Sequence, residues 1–172
     1  AQDEFFDCLK AIGGRSRWER KRSKDLRLVA ITDEDSKIAK ELKEQYEQEG
    51  LDIGILTDTM ENTRLVLKAK DKYYPVRSCA IKTILDRAGI SGAVLNRLEK
   101  NVYARILNDC LKITKGESLL RISDGKVSAV HGGDCCDYSI LDMEQVFTHV
   151  VAFLNKTFPG ASFLGGFYDH TR

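Results

Sequence analysis

Residues 118–132, SLLRISDGKVSAVHG, carry the clearest β-hairpin pattern in the chain. Asp124-Gly125 is the kind of dipeptide that favours the positive φ values of a tight turn, and it separates two short runs rich in apolar residues. The segment therefore predicts two antiparallel strands joined by a two-residue turn.

Helical patterns surround this hairpin. Apolar residues at helical spacing predict three helices before it, over about residues 78–88, 91–98 and 101–113. After the hairpin, residues 138–158 predict a long amphipathic helix that ends before Pro159-Gly160. Residues 161–171 then predict a last strand.

The first half of the chain predicts a short helix that stops at Gly13-Gly14, followed by strands and one longer helix. Strands are expected at residues 26–32, 51–57 and 63–70. Asp33 or Ser36 can cap the longer helix, which Gly50 ends in a left-handed conformation. Pro75 is expected to break the last of these strands.

Strands and helices that are segregated along the chain, rather than alternating as regular βαβ units, predict an α+β fold. We expect an antiparallel or mixed sheet with helices packed on one side, together with an N-terminal basic arm. The expected domain organisation is an N-terminal helix and basic arm over residues 1–25 and a single α+β domain over residues 26–172.

Length, charge and composition exclude several classes of protein. The chain has 172 residues and a formal net charge of +1, which suits one globular domain and excludes a strongly acidic mimic of DNA. No apolar run approaches the roughly 18 residues of a membrane span, so no membrane partner is expected. Five cysteines without a repeating spacing indicate reduced thiols and a cytoplasmic location.

A basic segment, RSRWERKRSKDLR, occupies residues 15–27, where seven cations accompany two acidic residues. Such a segment can bind backbone phosphates, with its tryptophan as a stacking surface. It can also be a solvated edge, or an arm that packs on the protein's own acidic helix. The predicted nucleic-acid or partner-binding residues are Arg15, Arg17, Trp18, Arg20, Lys21, Arg22, Lys24 and Arg27.

Residues 80–100, AIKTILDRAGISGAVLNRLEK, resemble a helix-turn-helix. A DNA-binding version would turn the start of its second helix toward base edges or phosphates, which makes Asn96 and Arg97 secondary candidates. Leu85 departs from the pattern, because the tight crossing of the two helices usually requires a smaller residue. The alternative is an ordinary helical hairpin that covers a sheet.

Residues 131–138, HGGDCCDY, contain one histidine, two aspartates and two adjacent cysteines. Structural zinc sites usually space their cysteines two to four residues apart, whereas adjacent side chains of an extended segment point to opposite faces. The flanking carboxylates would raise the pKa of a nucleophilic thiol. We therefore expect a loop after the hairpin, with no catalytic residue, no metal and no cofactor.

The hairpin and its flanks also carry a family signature. The matching residues are Leu119-Leu120-Arg121, Asp124-Gly125-Lys126-Val127, Ala129-Val130, Tyr138 and Leu141-Asp142. Over residues 74–172 the chain resembles the phage/plasmid-like proteins, a family of unknown activity found in phage, plasmid and gut-bacterial genomes. It departs from the family at Gly132–Asp137, which is an insertion, and it lacks the arginine that the family usually has there.

The resemblance implies a mobile genetic element acting in a bacterial host. We expect a non-enzymatic accessory protein that binds a nucleic-acid or nucleoprotein target. The most specific form of this expectation is an inhibitor of an RNA-guided CRISPR nuclease, whose partner is a nuclease or nucleoprotein of host defence. The alternative is a DNA-binding or single-strand-annealing factor in phage or plasmid replication or recombination.

Overall fold

A computed structural model describes residues 2–91, 93–134 and 139–165. Within these residues the fold is α+β, as predicted, with six α-helices and two antiparallel three-stranded sheets. The helices are α1 (Gln2–Gly14), α2 (Lys37–Glu49), α3 (Ile55–Glu61), α4 (Ala80–Ala88), α5 (Lys100–Ile113) and α6 (Met143–Thr157). The strands are β1 (Ser16–Arg22), β2 (Leu26–Ala30), β3 (Leu65–Ala69), β4 (Lys72–Pro75), β5 (Glu117–Ser123) and β6 (Lys126–Gly132).

The predicted hairpin is confirmed as β5 and β6, which pair antiparallel around Asp124-Gly125. Both turn residues have positive φ, 51° and 73°. A Cβ atom at Gly125 would lie 2.7 Å from Leu51 and 2.8 Å from the hydroxyl of Tyr46, so this glycine is required by space as well as by φ. The Tyr46 hydroxyl donates a hydrogen bond to the Gly125 carbonyl at 2.8 Å, which ties the turn to α2.

We expected the basic segment to form an N-terminal arm. Most of it instead forms β1, a strand within a sheet. All seven residues of β1 pair antiparallel with β5, from Ser16 opposite Ser123 to Arg22 opposite Glu117. The sheet order is β1-β5-β6, so β1 is an edge strand. Charged side chains are common on edge strands because they discourage pairing with another chain, and this explains how so basic a segment can be a strand.

The second sheet has the order β2-β3-β4. The strands predicted at residues 26–32 and 63–70 are confirmed, whereas the strand predicted at 51–57 is wrong. Its second half begins α3, after a turn in which the Asp52 carboxylate accepts a hydrogen bond from the Gly54 amide at 2.9 Å. Pro75 ends β4, an edge strand where its missing amide costs no ladder hydrogen bond.

Most predicted helices are confirmed. Ser36 caps α2 by accepting a hydrogen bond from the Ala39 amide at 3.2 Å, and Gly50 and Gly89 end α2 and α4 in the left-handed conformation. The short helix predicted at residues 91–98 is instead a five-residue 3₁₀ turn, Ala93–Arg97. α6 is confirmed, while residues 161–165 form no strand and the remainder of the predicted last strand lies outside the described residues.

The core has two parts on the two faces of the β2-β3-β4 sheet. The larger part joins Leu28 and Leu67 of this sheet to Leu120 and Val130 of the β1-β5-β6 sheet, under α4 and α5. The smaller part lies between the opposite face of the β2-β3-β4 sheet and the helices α2 and α3. In the part of the chain that the structure describes, no helix is long and apolar enough to cross a membrane.

Candidate functional site: a cationic groove between β2 and α5

Two of the predicted cations face an acid on their own strand. Arg17 and Lys21 flank Glu19 on one face of β1, with nitrogen–oxygen distances of 2.9 and 3.2 Å. Burial opposes ionisation of Glu19, but hydrogen bonds from these two cations outweigh burial and lower its pKa. The Arg17 guanidinium also lies over the ring of Tyr74 on β4. Part of the positive charge of β1 is thus neutralised between the two sheets.

Trp18 lies on the opposite face of β1, where it is packed by other parts of the protein. Its ring is half-buried, 5.8 Å from the Arg121 guanidinium and 6.3 Å from the His131 ring. Its indole nitrogen donates a weak hydrogen bond to Asp142 at 3.4 Å. The Trp18 ring is thus packed among Arg121, His131 and Asp142, and it does not line the groove described below.

The remaining cations of β1 are exposed and run toward the 3₁₀ turn Ser23–Asp25. Arg20 is 4.0 Å from Glu117, and Arg22 forms an ion pair with Asp25 at 2.7 Å. Arg15, before the strand, donates a hydrogen bond to the Ala11 carbonyl and is 3.7 Å from Asp124, at the far end of β1. The basic segment is therefore divided among three places on the molecule.

A groove of about 630 Å³ runs between β2, the end of β3 and α5. Six cations line it, of which the sequence predicted the first two: Lys24, Arg27, Lys68, Lys70, Arg105 and Lys112. We call these six residues and the space between them the cationic groove. A second cavity of about 270 Å³, lined by Arg20, Lys21 and Arg22, shares Asp25 and Lys70 with the groove and extends it toward β1.

The two acids that line the groove are paired with cations. Asp25 lies against Arg22, and Asp109 is 3.8 Å from Lys112. Lys24, Arg27, Lys70 and Arg105 are exposed, and none of the four forms an ion pair with another described residue. The groove consequently presents a clear excess of positive charge to solvent, although the whole chain is nearly neutral.

The wall of the groove is held by side chains of α4 and α5. Asn108 on α5 accepts a hydrogen bond from the Leu28 amide at 2.6 Å and donates one to the Leu28 carbonyl at 2.8 Å, so it occupies the positions of a neighbouring strand. The Arg87 guanidinium on α4 donates to the Ser23 hydroxyl at 2.8 Å and to the Ser118 hydroxyl at 3.0 Å. These bonds fix the 3₁₀ turn that carries Lys24.

Four groove cations were missed because they are far from the basic segment in sequence. Lys68 lies near the end of β3 and Lys70 directly follows this strand, whereas Arg105 and Lys112 lie two turns apart on α5. A signal was present on α5, where Asn101, Arg105, Asn108 and Lys112 repeat at spacings of three and four and form one polar stripe. Only the fold shows that this stripe faces Lys24 and Arg27.

The secondary candidates Asn96 and Arg97 are exposed on the 3₁₀ turn Ala93–Arg97 and do not line the groove. A turn of five residues is too short to enter a major groove as a recognition helix does. The helix-turn-helix interpretation therefore lacks its second helix, and so does the alternative of a helical hairpin. α4 alone covers the sheet at this point, where the Thr83 hydroxyl accepts a hydrogen bond from the Val130 amide of β6 at 3.0 Å.

The segment HGGDCCDY is only partly described. His131 and Gly132 end β6, and the Asp134 carboxylate accepts a hydrogen bond from the Glu117 amide at 3.3 Å. Cys135 to Tyr138 lie outside the described residues, as does His170. Among the residues that are described, no group of three histidines, cysteines or carboxylates could hold a metal ion.

The geometry defines an α+β protein with a cationic groove between an edge strand and a helix. No family model, no curated protein and no solved structure matches the chain. The resemblance to the phage/plasmid-like proteins stays a prediction.

Proposed function

We propose that the protein is a non-enzymatic binding protein that holds nucleic acid, alone or within a nucleoprotein, by its phosphates in the cationic groove. The observation that carries this proposal is the convergence of six cations from β2, β3, α5 and their connections around two acids that are already paired. Arg and Lys side chains arranged along a groove are the usual ligands of a phosphate backbone.

The groove favours contact with the backbone over contact with bases. None of the described residues that line it is aromatic, so it offers no platform on which unpaired bases could stack. Trp18, the predicted stacking residue, is packed by Arg121 and His131. We therefore propose duplex binding with little sequence preference, and within the alternative function this favours a DNA-binding factor over a single-strand-annealing one.

A more specific proposal depends on the resemblance to the phage/plasmid-like proteins. An inhibitor of an RNA-guided CRISPR nuclease, encoded by a phage or another mobile element, would use the same groove on the guide or target strands of the nucleoprotein. Target cleavage by such nucleases, measured with and without excess protein, tests that proposal separately from binding to bare nucleic acid.

Binding of a fluorescent duplex, followed by anisotropy at 50 and 200 mM salt, tests the function. With about four to six phosphate contacts, log K should fall with log salt at a slope of about −4 to −5, which weakens binding by about two to three orders of magnitude over this range. A single strand of equal length should bind more weakly. Absence of binding to both the duplex and the single strand at about 50 mM salt would exclude bare nucleic acid as the target.

Charge reversals locate the site. Arg27→Glu and Arg105→Glu should each weaken duplex binding by about tenfold or more and make the salt slope shallower, because each removes a phosphate contact and adds repulsion. Lys37→Glu is the matched control: it is the same kind of charge reversal at an exposed residue of α2, which is not among the residues that line the groove. Equal losses for all three variants would show that net charge, and not the groove, governs binding.

A further inference from the structure

α6 exposes an apolar face that no described part of the chain covers. Val150, Phe153 and Leu154 of α6 and Phe158, the residue directly after it, recur at helical spacing, and all four are exposed. We call these four residues the α6 face. α6 has no buried residue along its 15 positions, although its N-terminal half contacts α1 through Phe5 and Phe147, whose ring centroids are 5.1 Å apart.

The exposed apolar surface is concentrated around this helix. Of the eleven exposed large hydrophobic residues in the described chain, eight lie between residues 140 and 164. Phe153 and Phe158 are 63% and 55% exposed, and at 150–250 Å² per aromatic side chain they alone leave about 200 Å² uncovered. Contiguous apolar patches of several hundred Å² mark interaction sites on soluble proteins.

We propose that the α6 face binds the α6 face of a second copy of this chain and forms a two-fold symmetric dimer. Charge is the first argument. The only formally charged residues of α6 are Glu144 and Lys156, one near each end, so the α6 face is complementary to another uncharged apolar face, which the chain itself supplies. In a two-fold dimer the same patch serves both partners, and such interfaces are more apolar than transient ones.

The exposed apolar area of the α6 face is consistent with a second copy as the partner. The four side chains of the α6 face offer several hundred Å² per copy, less than the roughly 800 Å² per partner of a standard interface and within the range of small interfaces in weak complexes. A membrane surface fits less well, because helices that lie on membranes carry many Lys or Arg residues on their polar face and α6 has a single Lys. Dimerisation uses different elements from the cationic groove, so either proposal can fail without the other.

Sedimentation equilibrium of the full chain, from about 1 to 100 µM, tests the dimer. The wild type should dissociate within this range. Phe153→Glu should raise the dissociation constant by about thirtyfold or more, because it buries a charge at the centre of the interface. Val94→Glu, at an exposed apolar residue outside α6, is the matched control and should change the constant by less than about twofold.

Three outcomes would overturn the dimer. The first is a wild type that is monomeric at about 100 µM but binds vesicles of phosphatidylcholine and phosphatidylserine, which would assign the face to a membrane surface. The second is a wild type that is monomeric at this concentration and binds no vesicles, and the third is equal dissociation constants for the wild type and Phe153→Glu. Because Phe153 is exposed, the variant should retain the wild-type circular dichroism spectrum. If it unfolds, the same comparison is made with Phe153→Ser, whose smaller change should still weaken the dimer about tenfold.

Discussion

The ring of His131 lies beside the only tryptophan of the chain, Trp18, at 6.3 Å between ring centroids. Burial lowers the pKa of His131 from its ordinary value of 6.5, an effect that the negative charge of Asp86 partly offsets. The neutral ring is therefore favoured in the folded state. As pH falls through 6.5 the unfolded chain takes up the proton first, so the free energy of unfolding decreases below that pH.

This arrangement predicts a pH-dependent fluorescence change. Protonation of His131 places a cation beside the indole of Trp18, so tryptophan emission should titrate with a midpoint below pH 6.5. His131→Gln should abolish the transition, whereas His149→Gln, at an exposed position of α6, should leave it unchanged. A midpoint at or above 6.5, or a transition that persists in His131→Gln, would contradict the assignment.

For single residues, the sequence predicted only part of the candidate site. The sequence named Lys24 and Arg27 as candidates, and both line the cationic groove. It did not show that Arg17 and Lys21 lie against Glu19, because a glutamate two residues away faces the same side only if the segment is a strand. The identity of a residue is readable from sequence, but its neighbour across the fold is not.

At the scale of elements, Asn108 performs the role of a missing strand. Its amide holds both backbone groups of Leu28 on the open edge of β2, which is one way in which proteins protect a sheet edge. Asn108→Ala should lower the free energy of unfolding by about 1–3 kcal/mol, because it leaves a half-buried amide and carbonyl without partners. Urea denaturation of the purified variant measures this loss.

Asn101→Ala is the control for that experiment. Asn101 lies on the same helix and lines the same groove, and the structure gives it no side-chain hydrogen bond with another described residue, so its loss should change stability by at most about 0.5 kcal/mol. If the two variants were equally destabilised, the effect would belong to α5 in general and not to the bonds with Leu28.

Elements with strong local signals were predicted well, and elements set by tertiary context were not. The β5–β6 hairpin has Asp-Gly at its turn, and α2 has its Ser36 cap and Gly50 stop. The apolar run at 51–57 is too short to distinguish a strand from a helix, and it became a turn followed by α3. β1 carries no apolar pattern at all and is a strand because β5 offers it backbone partners.

At the scale of the whole molecule, the two sheets are joined through the larger part of the core. Leu28 and Leu120 belong to different sheets but to the same buried cluster. The Arg77 amide donates a hydrogen bond to the Val127 carbonyl at 3.0 Å, and Lys126 forms an ion pair with Asp58 on α3. Neither sheet can lose its packing without exposing apolar surface of the other, which favours unfolding as one unit.

Urea denaturation followed by two probes tests this cooperativity. Trp18 emission reports on β1, and far-ultraviolet circular dichroism reports on all helices, so their midpoints should coincide. Leu120→Ala, which deletes part of a fully buried side chain in the shared cluster, should cost about 2–5 kcal/mol and move both midpoints equally. The sequence predicted instead that residues 1–25 lie outside a domain formed by residues 26–172. That organisation implies two separate midpoints, since Trp18 would then lose its native emission before the helices of residues 26–172 unfold. Separate midpoints would therefore support that division, whereas one shared midpoint would make the basic strand an integral part of the domain.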